Sequence, residues 1–259
     1  MNNILAITGK ELRSYFASPI AWMVVGLFAL LAGGFYTATL NYFIRASMQM
    51  DSFAAMGQQQ QPLNINQQLI RPLFMNISVI ALFVAPMLTM RTYSEEKRSG
   101  TIELLLTSPV TDFEIIMGKF LGTLVLYALM LLVTLVHVGV LFVYGEPEWQ
   151  SIVSGYLGLL LMGGAFLSIG LFISSTTKNQ MVAGAATFVI ALMFWIVNWF
   201  TDSAGPTIGP ILNYLSITQH FDDFSKGVID TKHVVFYLSF IVFGLFLTMK
   251  SVDSERWRG

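Results

Sequence analysis

Six stretches of this chain are apolar enough to cross a bilayer, and almost none of them carries a charge: Pro19–Phe43, Leu73–Met90, Ile115–Tyr144, Ile152–Ser175, Met181–Phe200 and Val234–Met249. A hydrocarbon core of about 30 Å calls for about 20 apolar residues in a helix, and each run approaches or exceeds that length. The expected fold is an all-α polytopic membrane protein with six transmembrane helices, organised as one domain over residues 1–259. Composition agrees, with 55% hydrophobic and 11% charged residues, against about 25% charged in a soluble domain. A net charge of −1 lacks the basic footprint of a nucleic-acid binder, so no nucleic acid is expected as a partner. Without cysteine there are neither disulfides nor thiolate metal sites. The first run exceeds the roughly 7–15 residues of a signal-peptide core and follows a charged segment with Lys10, Glu11 and Arg13, so it reads as a retained span.

Basic residues set the orientation. With both termini in the cytoplasm, ten Lys and Arg lie inside, at positions 10, 13, 91, 97, 98, 119, 178, 250, 256 and 258. Four remain outside, Arg45, Arg71, Lys226 and Lys232, a clear positive-inside bias. Residues 1–18 place Ile4, Leu5, Thr8, Leu12, Tyr15 and Phe16 on one helical face, with Lys10 and Arg13 opposite. That pattern predicts an amphipathic helix at the lipid interface.

The densest charge lies between the second and third runs, in the 91–114 loop. Ser94–Gly100 reads as a polar turn, with Gly100 free to take positive φ. Thr101–Thr107 reads as a short helix ended by Ser108-Pro109. Its aliphatic residues Ile102, Leu104, Leu105 and Leu106 surround a single charge, Glu103, and a loop in water has no use for them unless something covers them. Thr111-Asp112-Phe113-Glu114 matches a capping box, so the third long helix starts near Asp112 and runs to about Tyr144. That is about 50 Å, longer than the membrane is thick.

On the outer side, Ala46–Gln68 holds the run Gln58–Gln61, read as a polar surface loop. The outer 201–233 segment contains a second amphipathic helix before the last span: Ser216 and Gln219 form a capping box, Ile217, Phe221 and Phe224 share a face, and Gly227 suits a C-cap. Gly118 with Gly122, Gly164 with Ser168, and Gly184-Ala185-Ala186 read as close-packing positions between spans. His137 is the one titratable residue read as clearly within the membrane, a packing residue or a functional one. His220, Asp222, Asp223, Asp230 and His233 match no metal-ligand spacing, and no metal site is expected.

Two segments carry a family resemblance. Glu95–Val110, EEKRSGTIELLLTSPV, resembles the coupling-helix signature of type-2 ABC transporter permeases, and Ile173–Gln180 resembles the inner loop after their fourth span. The likeness covers essentially the whole chain and is nearest to gliding-motility-type permease subunits. It implies a non-catalytic transmembrane subunit of the bacterial inner membrane that works as a homo- or heterodimer. A separate cytoplasmic ABC ATPase would bind ATP and Mg, and a periplasmic or membrane accessory protein is a further partner. No G-x-x-x-x-G-K-[ST] loop occurs in this chain, consistent with that division of labour. The resemblance assigns the ATPase contact to Glu95, Glu96, Lys97, Arg98, Gly100, Thr101 and Glu103, with Leu105 and Leu106 anchoring the helix. Lys10, Glu11 and Arg13 would flank the same groove, and Ile217, Phe221 and Phe224 would belong to an outer gate. The work would be export of an amphiphilic substrate or transmission of force to a periplasmic partner. The alternative is an ion-coupled transporter or channel, which normally places charges or broken helices at the membrane midplane; the bare spans speak against it.

Overall fold

The computed structural model describes residues 2–56, 63–106, 109–201 and 203–256, and among them there are helices and no strands. In order they are α1 (Asn2–Ala17), α2 (Pro19–Ala55), a π-helical turn (Asn66–Ile70), α3 (Arg71–Thr89), α4 (Ser94–Ser99), α5 (Ile102–Leu106) and α6 (Asp112–Tyr144). There follow α7 (Trp149–Thr176), α8 (Gln180–Ile196), a 3-10 turn (Val197–Phe200), α9 (Gly205–Leu215), α10 (Ile217–Ser225) and α11 (Thr231–Arg256). Six helical spans are long and apolar enough to cross a membrane. Helices satisfy their own backbone polar groups, which is what a segment in lipid requires.

The apolar runs locate all six spans but not their ends. The second run belongs to a helical span of 34 residues, Asn66–Ser99, and the last to a helix that begins at Thr231 and ends at Arg256. In both, polar residues beyond the lipid-compatible run continue the helix because their side chains find partners there. Likewise α2 runs on through 46–55, a stretch expected to be loop, and at 37 residues is about 55 Å long. The Gln58–Gln61 run lies outside the described residues.

The core forms around α7. More than three quarters of its spanning window is buried, against 22% for α2, 17% for α8 and 22% for α11. The reason is its small-residue surface. A Cβ at Gly155 would overlap the Phe74 ring, one at Gly163 the Tyr127 ring and one at Gly170 the Thr89 side chain. Each glycine thus receives a large or branched neighbour from α3 or α6, and dispersion contact replaces the hydrophobic drive that lipid cannot supply. Toward α11 the roles reverse: Ser168 of α7 enters the hollow at Gly244, where a Cβ would lie 2.5 Å from Ser168 Oγ.

Among the predicted packing positions Ala185 is exposed, and Gly118 and Gly122 depart from expectation in another way. They face α1 and not another span: a Cβ would meet Ile7 Cβ at 2.6 Å and Glu11 Cβ at 2.8 Å. The buried stripe of α1 is consequently Thr8 and Glu11, with Ile4, Ile7, Leu12 and Tyr15 half-buried, while Leu5 is 64% exposed. The amphipathic face is rotated from the expected one because α6 offers Glu11 a partner.

Gly163→Ala should lower the thermal unfolding midpoint of the detergent-purified protein, at a cost of roughly 1–3 kcal/mol from overpacking. Gly34→Ala, where nothing stands within 4 Å of the new methyl group, should leave it unchanged or slightly raised. Equal midpoints for the two variants would contradict the packing role of α7.

Candidate functional site: a polar junction at one end of the bundle

At the end of the bundle that carries the 91–114 loop, one lysine of α6 joins three further elements: α1, α4 and the turn between α3 and α4. Lys119 lies two turns into α6, is 1% exposed, and its ammonium has three hydrogens to place. They go to Glu11 Oε1 of α1 at 3.0 Å, Glu96 Oε1 of α4 at 2.8 Å and the Thr92 carbonyl at 2.9 Å. The Tyr93 ring stands 5.0 Å from the same nitrogen. Three charge-assisted bonds and an aromatic face give a buried cation the compensation it needs.

Local signals hold each partner in place. The capping box at the start of α6 forms as expected: Thr111 N donates to Glu114 Oε2 at 3.0 Å and Glu114 N to Thr111 Oγ1 at 3.3 Å. Glu114 also accepts from Asn3 of α1 at 3.1 Å, and Thr8 donates to the Gly118 carbonyl at 3.2 Å, which clamps α1 along α6. Tyr15 closes the groove by donating to the Leu88 carbonyl at 2.7 Å, and burial pushes its phenol well above the usual range, so it remains a donor.

The segment read as a polar turn is a helix, α4. Glu95 and Glu96 sit in its first turn, Lys97 and Arg98 in its last, and Gly100 caps it in the left-handed region at φ 74°. That charge order complements the helix dipole, and a left-handed glycine is the usual stop. Ser174 of α7 accepts from the backbone N–H groups of Tyr93 and Ser94 at 3.1 and 3.2 Å and donates to the Met90 carbonyl at 3.3 Å. Lys97 turns inward to Glu255 of α11 at 2.6 Å, and Ser251 donates to the Ser175 carbonyl at 3.1 Å. The ends of α1 and α11 therefore lie at the same end of the bundle.

The predicted contact residues divide into two sets. Glu95, Arg98, Gly100, Thr101 and Glu103 are exposed, and Leu104 is 73% exposed beside them. Glu96, Lys97 and Glu11 face inward and tie the loop to its neighbours. Ile102 is buried and anchors α5; the side chains of Leu105 and Leu106, and the Ser108 helix stop, lie outside the described residues. Lys10 and Arg13 are exposed on α1, with Lys10 Nζ 3.5 Å from Glu96 Oε1. Between α1, α2 and the loop lies a cleft of about 270 Å³ lined by charges of both signs, among them Lys10, Arg91 and Glu95. Lys119 was missed as a site residue because sequence counts it only as one more inner charge. Its signal was a lone lysine inside the apolar part of a helix already capped upstream.

The other predicted residues lie apart from this junction. His137 is half-buried against the Tyr36 ring, centroids 4.8 Å apart, and fills the space above Gly33 as a contact between α2 and α6. At the opposite end, the 201–233 segment holds two helices where one was expected, since α9 forms with Pro206 in its first turn. Ser216 caps α10 by accepting from Gln219 N at 3.2 Å, and Gly227 adopts φ 89°. Ile217, Phe221 and Phe224 are fully buried, with Phe224 seated on Gly158 of α7. Among the described residues no group of three or more His, Cys, Asp or Glu is placed to hold a metal ion.

Lys119→Met should destabilise the protein by up to roughly 3–5 kcal/mol, because it leaves the buried Glu11 and half-buried Glu96 carboxylates with only the exposed Lys10 beside them. Adding Glu11→Gln and Glu96→Gln should recover much of that loss in thermal unfolding. A Lys119→Met variant as stable as the parent would remove the lysine from its organising role.

The comparisons with known proteins bear on the whole chain. Residues 5–250 match the family model described as ABC-2 family transporter protein. The probable multidrug ABC transporter permease YbhR of Escherichia coli K12 is 24% identical over 154 residues, covering 59% of this chain and 41% of that protein. The inner membrane transport permease YhhJ, also of Escherichia coli K12, is 34% identical over 119 residues, 45% of this chain and 30% of its own length. The chain thus spans less than half the length of these curated relatives. A match across nearly all of its residues, on a bundle of six membrane-crossing helices, makes the chain a member of the ABC-2 family of transporter permeases.

Proposed function

We propose that this chain is the membrane-spanning, non-catalytic subunit of an ATP-driven transporter, and that the 91–114 loop receives the motion of a separate ABC ATPase. The observation that carries this reading is the division of the loop into an exposed edge and a locked base. A loop that passes on force needs a surface for the driver and stiff links to what it drives. Glu95, Arg98, Gly100, Thr101, Glu103 and Leu104 supply the surface. Lys97–Glu255, Glu96–Lys119 and the Ser174 bonds supply links to α11, α6 and α7. Displacement of α4 would be felt at once by three spans, without any charged group in the middle of the membrane.

In this reading the junction faces the cytoplasm, as the excess of Lys and Arg at that end favours, and the protein resides in the inner membrane. The ATPase holds ATP and Mg; nothing in the chemistry above asks this chain to bind either. The family implies a second permease subunit, and the weakly buried faces of α2, α8 and α11 leave room for one as well as for lipid. The cargo is proposed to be amphiphilic, consistent with the predominance of Leu, Phe and Met along the spans. Force transmission to a periplasmic partner is the second reading, favoured by the sequence likeness of the outer segment Leu215–Tyr237 to the outer loop of gliding-motility-type permeases.

The test is co-purification in detergent with a candidate ABC ATPase subunit. Glu103→Arg and Leu104→Asp should each reduce the bound ATPase by about tenfold or more, the effect of losing an interface hot spot, while the six-span protein stays folded. Wild-type protein that retains no ATPase, or variants that retain as much as wild type, would sink the coupling role of the loop.

A further inference from the structure

At the end of the bundle opposite the junction, a chain of polar contacts runs through two buried histidines. Asp223 Oδ2 lies 2.8 Å from His233 Nε2, His233 Nδ1 lies 2.6 Å from His220 Nδ1, and His220 Nε2 lies 2.9 Å from the Tyr214 carbonyl. Both rings are 5% exposed. His220 is also stacked on Phe236, with centroids 3.8 Å apart. The chain links α9, which carries Tyr214, with α10, which carries His220 and Asp223, and with α11, which carries His233 and Phe236.

Counting hydrogens limits what these contacts tolerate. Two imidazole nitrogens can approach head to head at 2.6 Å only if one of them carries hydrogen and the other presents its lone pair. A neutral ring carries one N–H, an imidazolium two. Two neutral rings therefore supply two hydrogens for three contacts. One additional proton completes all three, with Asp223 as the acceptor. A second additional proton makes both Nδ1 atoms donors and both rings cations, and the contact between them can no longer exist. We propose that His220 and His233 form an acid-released latch that fastens α9 and α10 to α11 and opens when both rings are protonated.

The surroundings agree in sign. Burial pushes His220 below the ordinary imidazole value; the Tyr214 carbonyl opposes this, His233 and Lys232 add to it, and Asp223 opposes it. A depressed histidine contributes stability that is fully present above the unfolded value of about 6.5 and lost as pH falls through the folded one. The other charges nearby are engaged. Asp222 of α10 is bound by Arg71 of α3 and by Lys226, and Asp230 is bound by Lys232 at 3.0 Å. On α11 the Tyr237 ring stands 6.4 Å from His220 with its hydroxyl donating to the Ile217 carbonyl. Tyr156 of α7 turns to Thr134 of α6, and α8 holds no titratable side chain, though its Trp195 carbonyl accepts from Thr218. Nothing from α7 or α8 is placed to neutralise a doubly charged pair. The inference does not depend on an ATPase partner, since it concerns the fold of this chain alone.

Hydrogen–deuterium exchange of the full chain in nanodiscs tests it. After correction for intrinsic rates, exchange over 205–225 should rise about tenfold between pH 7.5 and pH 5, the factor carried by one pKa unit. His137→Gln should keep that rise, and His233→Gln should abolish it. A rise that survives in His233→Gln, or a wild type without one, overturns the latch. Should His233→Gln not fold, nitrogen-15 spectra of the wild-type histidine rings decide. A hydrogen shared between His220 and His233 at neutral pH, lost over the interval in which exchange rises, supports it. Two rings titrating independently overturn it.

Discussion

The rest of the molecule depends on how one buried ammonium is satisfied. Lys119 sits where a span emerges from its apolar stretch, and its three bonds reach a helix outside the bundle, a loop and a loop helix. An unpaired charge at that depth would cost several kcal/mol, so these elements cannot drift independently. The result is a rigid collar in which α1, α4 and the first turns of α6 move as one body. Lys97 extends the collar to α11 through Glu255, and Ser174 extends it to α7. A cluster of charges at one end thus ties together a bundle whose spans hold almost no charge.

A second constraint acts along the membrane normal. Within lipid, apolar side chains gain little by meeting each other, so contact quality decides which spans associate. α7 solves this by offering hollows at Gly155, Gly158, Gly163 and Gly170 that rings and branched side chains enter. Its neighbours surround it, while α2, α8 and α11 keep much of their surface outward. The bundle is tight at its axis and open at its flanks, as suits a protein whose flanks meet lipid or another subunit.

Features written in a few consecutive residues were legible in sequence. The capping box at Thr111–Glu114, the Ser216 cap, the apolar runs and the shared face of Ile217, Phe221 and Phe224 all depend on spacing alone. Features that need a distant partner were not. Glu11 reads as a surface charge until Lys119, 108 positions away, is brought against it. Lys97 reads as a contact residue until Glu255 turns it inward. α4 read as a turn because four charges suppress any apolar period, although their order along the helix dipole carried the information. α9 escaped notice because two prolines disguise it, one of them in a first turn where proline is welcome.

The seating of α10 on α7 has a consequence for how seldom that helix can leave its place. Ile217, Phe221 and Phe224 are buried to completion in hollows of the bundle. Lifting the helix away into water would expose all three, and each such side chain is worth roughly 1.5–3 kcal/mol of burial. The sum, about 4–9 kcal/mol, corresponds to a spontaneously opened fraction between about one in a thousand and one in a million at 1.4 kcal/mol per tenfold. Thermal motion alone therefore leaves α10 seated on α7 almost all of the time.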